Sequence, residues 1–147
     1  MKKRTAKIIY LPGARQVAHK KNNLPSILLI EDQPINAFVF KTCLDIIKTD
    51  TELIIQRTCE SASEYLRACQ KLPSIIILNL SFNDTHGMQF IRKLESNNML
   101  KEIPIVILSD SAGTQSKSKT MHPNVRECFV RPIDYFELTE TICKNLN

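Results

Sequence analysis

Ser26-Ile-Leu-Leu-Ile-Glu-Asp-Gln-Pro34 decides the fold. Its apolar run, Ile27–Ile30, is not broken by polar residues, as a parallel strand covered on both faces requires. Glu31 and Asp32 close the run with adjacent carboxylates. Pro34 then stands where a first helical turn tolerates a residue without an N–H. Beyond it, Ile35, Phe38, Val39, Thr42 and Ile46 recur at helical spacing. The unit reads strand, acidic corner, helix.

Strands and helices alternate downstream, with no internal repeat of the sequence. Leu53–Ile55 is a second strand, and Ser61–Lys71 a second helix with Tyr65, Leu66 and Cys69 on its expected inner face. Ser74–Leu78 is the third and most apolar strand, followed by a helix over Met88–Ser96 through Phe90, Ile91 and Leu94. Pro104–Leu108 is the fourth strand, Cys128–Val130 a short fifth, and Asp134–Leu146 the final helix. Asp134 is its expected N-cap, with Glu137 three residues on as in a capping box, and Leu138 and Ile142 give it an apolar stripe. Strands separated by helical segments pair in parallel through crossovers. The expected architecture is a doubly wound α/β sandwich on a five-stranded parallel sheet. Residues 110–124 are rich in Ser, Thr and Lys, with Met121 as their sizeable apolar anchor, and Pro123 disfavours helix at His122. A short, weakly docked helix and a solvated loop both fit that composition.

At 147 residues, with 43% hydrophobic and 24% charged, the chain has the size and composition of one soluble globular domain. Three glycines exclude a collagen-like chain, and the longest apolar run is strand-sized, far below a membrane span. The net charge of +5 is unevenly placed. Residues 1–26 hold Lys2, Lys3, Arg4, Lys7, Arg15, Lys20 and Lys21 with no acid, or +7, and the remainder is −2. A basic N-terminal extension over 1–25 therefore precedes the domain proper, 26–147. Within it, Ile8-Ile9-Tyr10-Leu11 is apolar and strand-like, which favours a segment partly docked on the domain or on a partner over a free arm, with a solvated tail as the plain alternative. The five cysteines show no C-x-x-C pair and no His at ligand spacing. That points away from a disulfide framework or a zinc site, and with no secretory signal it points to a reducing cytoplasm.

In an open parallel sheet, ligands gather beyond the carboxyl ends of the strands. Those ends carry Glu31 and Asp32, Asn79, Ser109, and Arg131-Pro132. Adjacent carboxylates repel unless a cation neutralises them. Either Mg²⁺ or a nearby Arg meets that need, and a solvated acidic loop is the plain alternative.

In this order, the sequence resembles the receiver domain of two-component response regulators. Ile27-Leu-Leu-Ile-Glu-Asp-Gln-Pro34 is similar to the family's first strand and acidic pair, and Asn79–Gly87 to its phosphoacceptor segment. Ile103–Ser109 is similar to the strand ending in the switch Ser/Thr, and Phe129-Val-Arg-Pro132 to the stretch that usually reads Lys-Pro. The resemblance spans roughly residues 26–146, includes stand-alone receivers, and implies a flavodoxin-like (βα)5 sandwich.

The departures bear on function. The resemblance places Asn79 where the family carries the Asp that takes a phosphoryl group. A neutral amide oxygen is a poor nucleophile towards phosphorus. Glu31, Asp32 and Asn79 would then form a residual metal site, with Mg²⁺ binding weak or absent and no other cofactor expected. Arg131 replaces a Lys and, always charged, can neutralise the acidic pair itself. Ser109, Arg131 and Pro132 remain as the switch positions, while His86 stands where the family usually has Asp and Cys128 where it has an aromatic. The expectation is a non-enzymatic pseudo-receiver that binds a protein partner in a bacterial signalling pathway through its 110–146 face, with no membrane association. Two alternatives stay open. One is switching by an ion or anion, or by phosphorylation at Asp84 or Asp110. The other is binding of nucleic acid or an anionic surface by residues 1–25.

Overall fold

The computed structural model describes residues 7–10 (backbone only), 23–81, 84–111 and 122–146. In chain order the elements are β1 (Lys7–Tyr10), β2 (Ser26–Ile30), α1 (Pro34–Ile47), β3 (Glu52–Gln56), α2 (Cys59–Ala68), β4 (Ile75–Leu80), α3 (Thr85–Glu95), β5 (Ile105–Ser109), β6 (Val125–Val130) and α4 (Tyr135–Leu146). The strands form one sheet in the order β1-β3-β2-β4-β5-β6, and every pairing is parallel. The five expected strands are all present as β2 to β6, in the doubly wound arrangement. The N-terminal extension adds a sixth, because Lys7–Tyr10 pairs along Glu52–Ile55 and continues the sheet past β3.

Strand periodicity divides the core into two layers. Leu28 and Ile30 of β2 pack with Ala62 and Leu66 of α2 and with Phe90, Ile91 and Leu94 of α3. Ile27 and Leu29, on the other face, pack with Ala37, Phe40 and Leu44 of α1 and with Leu138 and Ile142 of α4. Ile75–Leu78 are fully buried, each contributing about 1.5–3 kcal/mol relative to exposure. The uninterrupted apolar runs thus mark strands covered on both sides.

Helix starts follow capping chemistry. Thr58 and Ser61 form a capping box, which moves the start of α2 to Cys59, two residues before the expected Ser61. Asp84 accepts from Gly87 N–H at 2.9 Å, which starts α3 at Thr85 rather than Met88. Asp134 caps α4 as expected, accepting from Phe136 N–H at 2.9 Å and Glu137 N–H at 3.2 Å.

One pattern departs from expectation. The apolar repeat that marks α1 lies on its outer face: Ile35, Phe38 and Ile46 are 66%, 64% and 71% exposed. Ala37, Phe40 and Leu44 form the buried stripe on the opposite side. The helix carries two apolar stripes, and Ala37 lets the helix seat Phe40 and Leu44 against the sheet. The five cysteines form no disulfide with one another. Helix or loop in 110–124 is a question that falls on 112–121, outside the described residues.

Candidate functional site

Parallel pairing brings the ends of β2, β4, β5 and β6 to one edge. The register sets Asn79 beside Leu108, Leu80 beside Ser109, and Ser109 beside Val130. Two backbone bonds extend this alignment: Glu31 N–H donates to Gln56 O at 2.9 Å, and Arg131 N–H to Ser109 O at 2.8 Å.

Glu31, Asn79 and Arg131 are joined through the Asn79 amide. Asn79 Nδ2 donates to Glu31 Oε1 at 3.1 Å, and Arg131 Nη1 donates to Asn79 Oδ1 at 3.0 Å. The amide matters here because it presents a donor to the carboxylate and an acceptor to the guanidinium. Glu31 Oε1 also accepts from Gln33 N–H at 2.9 Å, while Arg131 Nη2 lies 3.8 Å from Glu31 Oε2. Arg131 Nη1 makes its shortest contact to Asp110 Oδ1, at 2.9 Å. Burial raises the Glu31 pKa above its ordinary value, and the bonds from Gln33, Asn79 and Asn36 oppose that rise.

Asp32 follows Glu31 and faces solvent. Ser109 is fully buried, and its hydroxyl accepts from Ser111 N–H at 3.1 Å; its bonds stay within its own loop and do not reach Asn79. Pro132 is exposed and follows a cis peptide bond. The structure therefore brings Glu31, Asn79 and Arg131 into direct contact, keeps Asp32 at the rim of the cleft, and leaves Ser109 and Pro132 outside its lining. Gln33 and Asn36 belong to the Glu31 shell but gave no sequence signal, because a backbone N–H carries no residue code and Asn36 reads as a helix position.

A divalent cation fits this arrangement poorly. Asn79 turns Nδ2, not oxygen, to Glu31, and its Oδ1 is already taken by a guanidinium. Among the described residues, no three His, Cys, Asp or Glu side chains converge as a ligand set. The alternative carboxylates are also engaged: Asp84 caps α3 and Asp110 pairs with Arg131. Gly87 is fixed by space, since a Cβ there would run into Leu80 Cδ1. His86 is exposed in the first turn of α3. Cys59 lines the same cleft, but burial and the nearby Asp84 and Glu60 push its thiol up to about 11, which disfavours the thiolate. The cleft itself, of about 990 Å³, runs from Glu31 and Arg131 to the N-terminal turns of α2 and α3.

Residues 27–143 match the response regulator receiver domain family. Response regulator Rcp1 of Synechocystis sp. is 30% identical over 90 residues, covering 58% of this chain and 61% of that protein. The probable methanogenesis regulatory protein FilR2 of Methanothrix harundinacea is 22% identical over 120 residues, 79% of this chain and 77% of its own. The sensor histidine kinase TmoS of Ectopseudomonas mendocina is 24% identical over 118 residues, which are only 12% of its length. Among solved structures, the bacteriophytochrome response regulator AtBRR superposes with a TM-score of 0.71 at 23% identity, covering 85% of this chain and 94% of that one. The Mn²⁺-bound form of Rcp1 gives a TM-score of 0.66 at 25% identity, covering 80% and 88%.

Proposed function

The chain belongs to the response regulator receiver domain family of two-component signalling, and within it we propose a pseudo-receiver: a protein-interaction module that works without aspartyl phosphorylation. The observation that carries this is the Asn79 amide, bonded on one side to Glu31 and on the other to Arg131. An amide at the end of β4 supplies no carboxylate to attack phosphorus. Arg131 places a permanent positive charge against Asn79 and Glu31, so Mg²⁺ binds weakly or not at all. Glu31, Asp32 and Asn79 are the residual metal positions, and Ser109, Arg131 and Pro132 the former switch.

Receiver domains work through protein partners, and here the partner face is proposed as 110–146, where Phe136 is 72% exposed. The odd number of cysteines, with no C-x-x-C pair, supports a reducing compartment. Phosphorylation at Asp84 or Asp110 is the weaker alternative, because one is committed to a helix cap and the other to an ion pair. For the basic extension, the pairing of Lys7–Tyr10 with β3 supports a docked segment over a free nucleic-acid arm.

The test is incubation of the full chain with acetyl phosphate and Mg²⁺, followed by intact mass and peptide mapping. The expected result is unmodified protein. A stable adduct of one phosphoryl group within this pocket would overturn the proposal.

A further inference from the structure

The outer face of α1 is an apolar surface that the pocket does not use. Ile35, Phe38 and Ile46 are each about two-thirds exposed, and Thr42 lies exposed between Phe38 and Ile46. Spacings of three, four and four residues set these side chains in one line. The line stands opposite the buried Ala37, Phe40 and Leu44. No charged residue stands on it. Lys41 and Asp45, on its flank, pair with each other at 2.7 Å, so the flank is neutral. A contiguous exposed apolar surface of this kind marks an interaction site.

We propose that this stripe is the contact surface of a weak, two-fold homodimer, α1 against α1 of a second copy. The stripe is self-complementary when two copies run antiparallel about an axis near residue 40. Ile35 of one copy then meets Ile46 of the other, and Phe38 meets Thr42. Each bulky ring faces the smallest residue of the stripe, and the aliphatic ends face each other. Such a contact is isologous, so it closes at two copies and does not propagate.

Helix α1 has 14 residues, giving about 21 Å of contact length. With the half-buried Val39 and Cys43, the stripe offers at most on the order of 500 Å² per copy, or about 1,000 Å² in the pair, below the range of stable interfaces and within that of weak, transient ones. The association is therefore reversible and dependent on concentration. A charged or strongly polar partner would find nothing to pair with on this face.

The test is sedimentation velocity on the full chain over about 5 to 500 µM. The expected result for the native chain is a monomer that shifts towards dimer across that range. Phe38→Asp and Ile46→Lys should each hold it monomeric with an unchanged circular dichroism spectrum, because both positions face solvent. Phe136→Asp, which changes an exposed apolar residue on α4, should dimerise as the native chain does. A native chain that stays monomeric throughout overturns the proposal and leaves the stripe to an unrelated apolar partner. Dimerisation that survives Phe38→Asp overturns it as well.

Discussion

Asn79 donates through Nδ2 to Oε1 of Glu31 at 3.1 Å, a bond that no ionised carboxylate at position 79 could make. Glu31 is 4% exposed, so the group facing it decides whether its charge is tolerated. An amide satisfies one of its oxygens, and an acid would add like charge against it.

Asn79→Asp should therefore destabilise the protein in the absence of metal, by about 1–3 kcal/mol. The same variant should regain stability with Mg²⁺, because position 79 would add a carboxylate beside Glu31, with Asp32 at the rim, for the cation to neutralise. Urea unfolding of native and variant protein, with and without Mg²⁺, measures both effects. A variant as stable as the native chain and indifferent to Mg²⁺ would show that the Asn79–Glu31 bond does not set the charge balance of the pocket.

Glu31 gives a pH dependence of unusual sign. Burial raises its folded pKa above the ordinary 4.5. Between 4.5 and that raised value, the folded state binds more protons than the unfolded state. Stability from this group therefore increases as pH falls through the folded pKa and is lost as pH rises through it. Glu31→Gln removes the titration, so the stability of the native chain relative to this variant should rise between neutral pH and about 4.5. A relative fall over that window would mean that Arg131 dominates and holds the carboxyl low.

The two acidic partners of Arg131 differ in environment. Asp110 is 58% exposed at its side chain and Glu31 only 2%. Asp110→Ala should cost no more than about 1 kcal/mol, as exposed pairs do. Arg131→Ala strips both Asn79 and Glu31 of a cationic neighbour and should cost more, about 1–3 kcal/mol. It should also tighten Mg²⁺ binding, read by chemical shift at Glu31 and Asp32. Equal costs for the two variants would show that the guanidinium serves the rim and not the buried acid.

Much of this was legible in the sequence because each signal was local. The apolar runs of β2 and β4 read as strands covered on both faces, and the residues at their carboxyl ends read as the candidate site. Asp134 was legible as a cap because its side chain bonds the two N–H groups directly after it. What the sequence withheld depends on the relation between distant segments. The Asn79–Arg131 bond spans 52 residues and the Asn79–Glu31 bond 48. Gln33 contributes to the site through its backbone. The strand in the extension was visible as an apolar run, but its pairing with β3, on the far side from β2, was not.

Helix α1 is the sharpest case, since periodicity alone marks its exposed side. Phe38 and Phe40 are two residues apart and equally apolar, yet one is 64% exposed and the other 3%. Phe40 packs in the layer that contains Ile27, Leu29 and Leu44, so Phe40→Ala leaves a cavity there and should cost about 3–5 kcal/mol. Phe38→Ala removes a ring already in water and should change the stability of the monomer by less than about 0.5 kcal/mol. Chemical denaturation at low protein concentration measures both without a contribution from self-association. A larger loss from Phe38→Ala than from Phe40→Ala would require α1 to be rotated by roughly half a turn, placing Ile35, Phe38, Thr42 and Ile46 against the sheet. That rotation would bury the stripe on which the dimer depends, so this pair of variants also tests the surface itself.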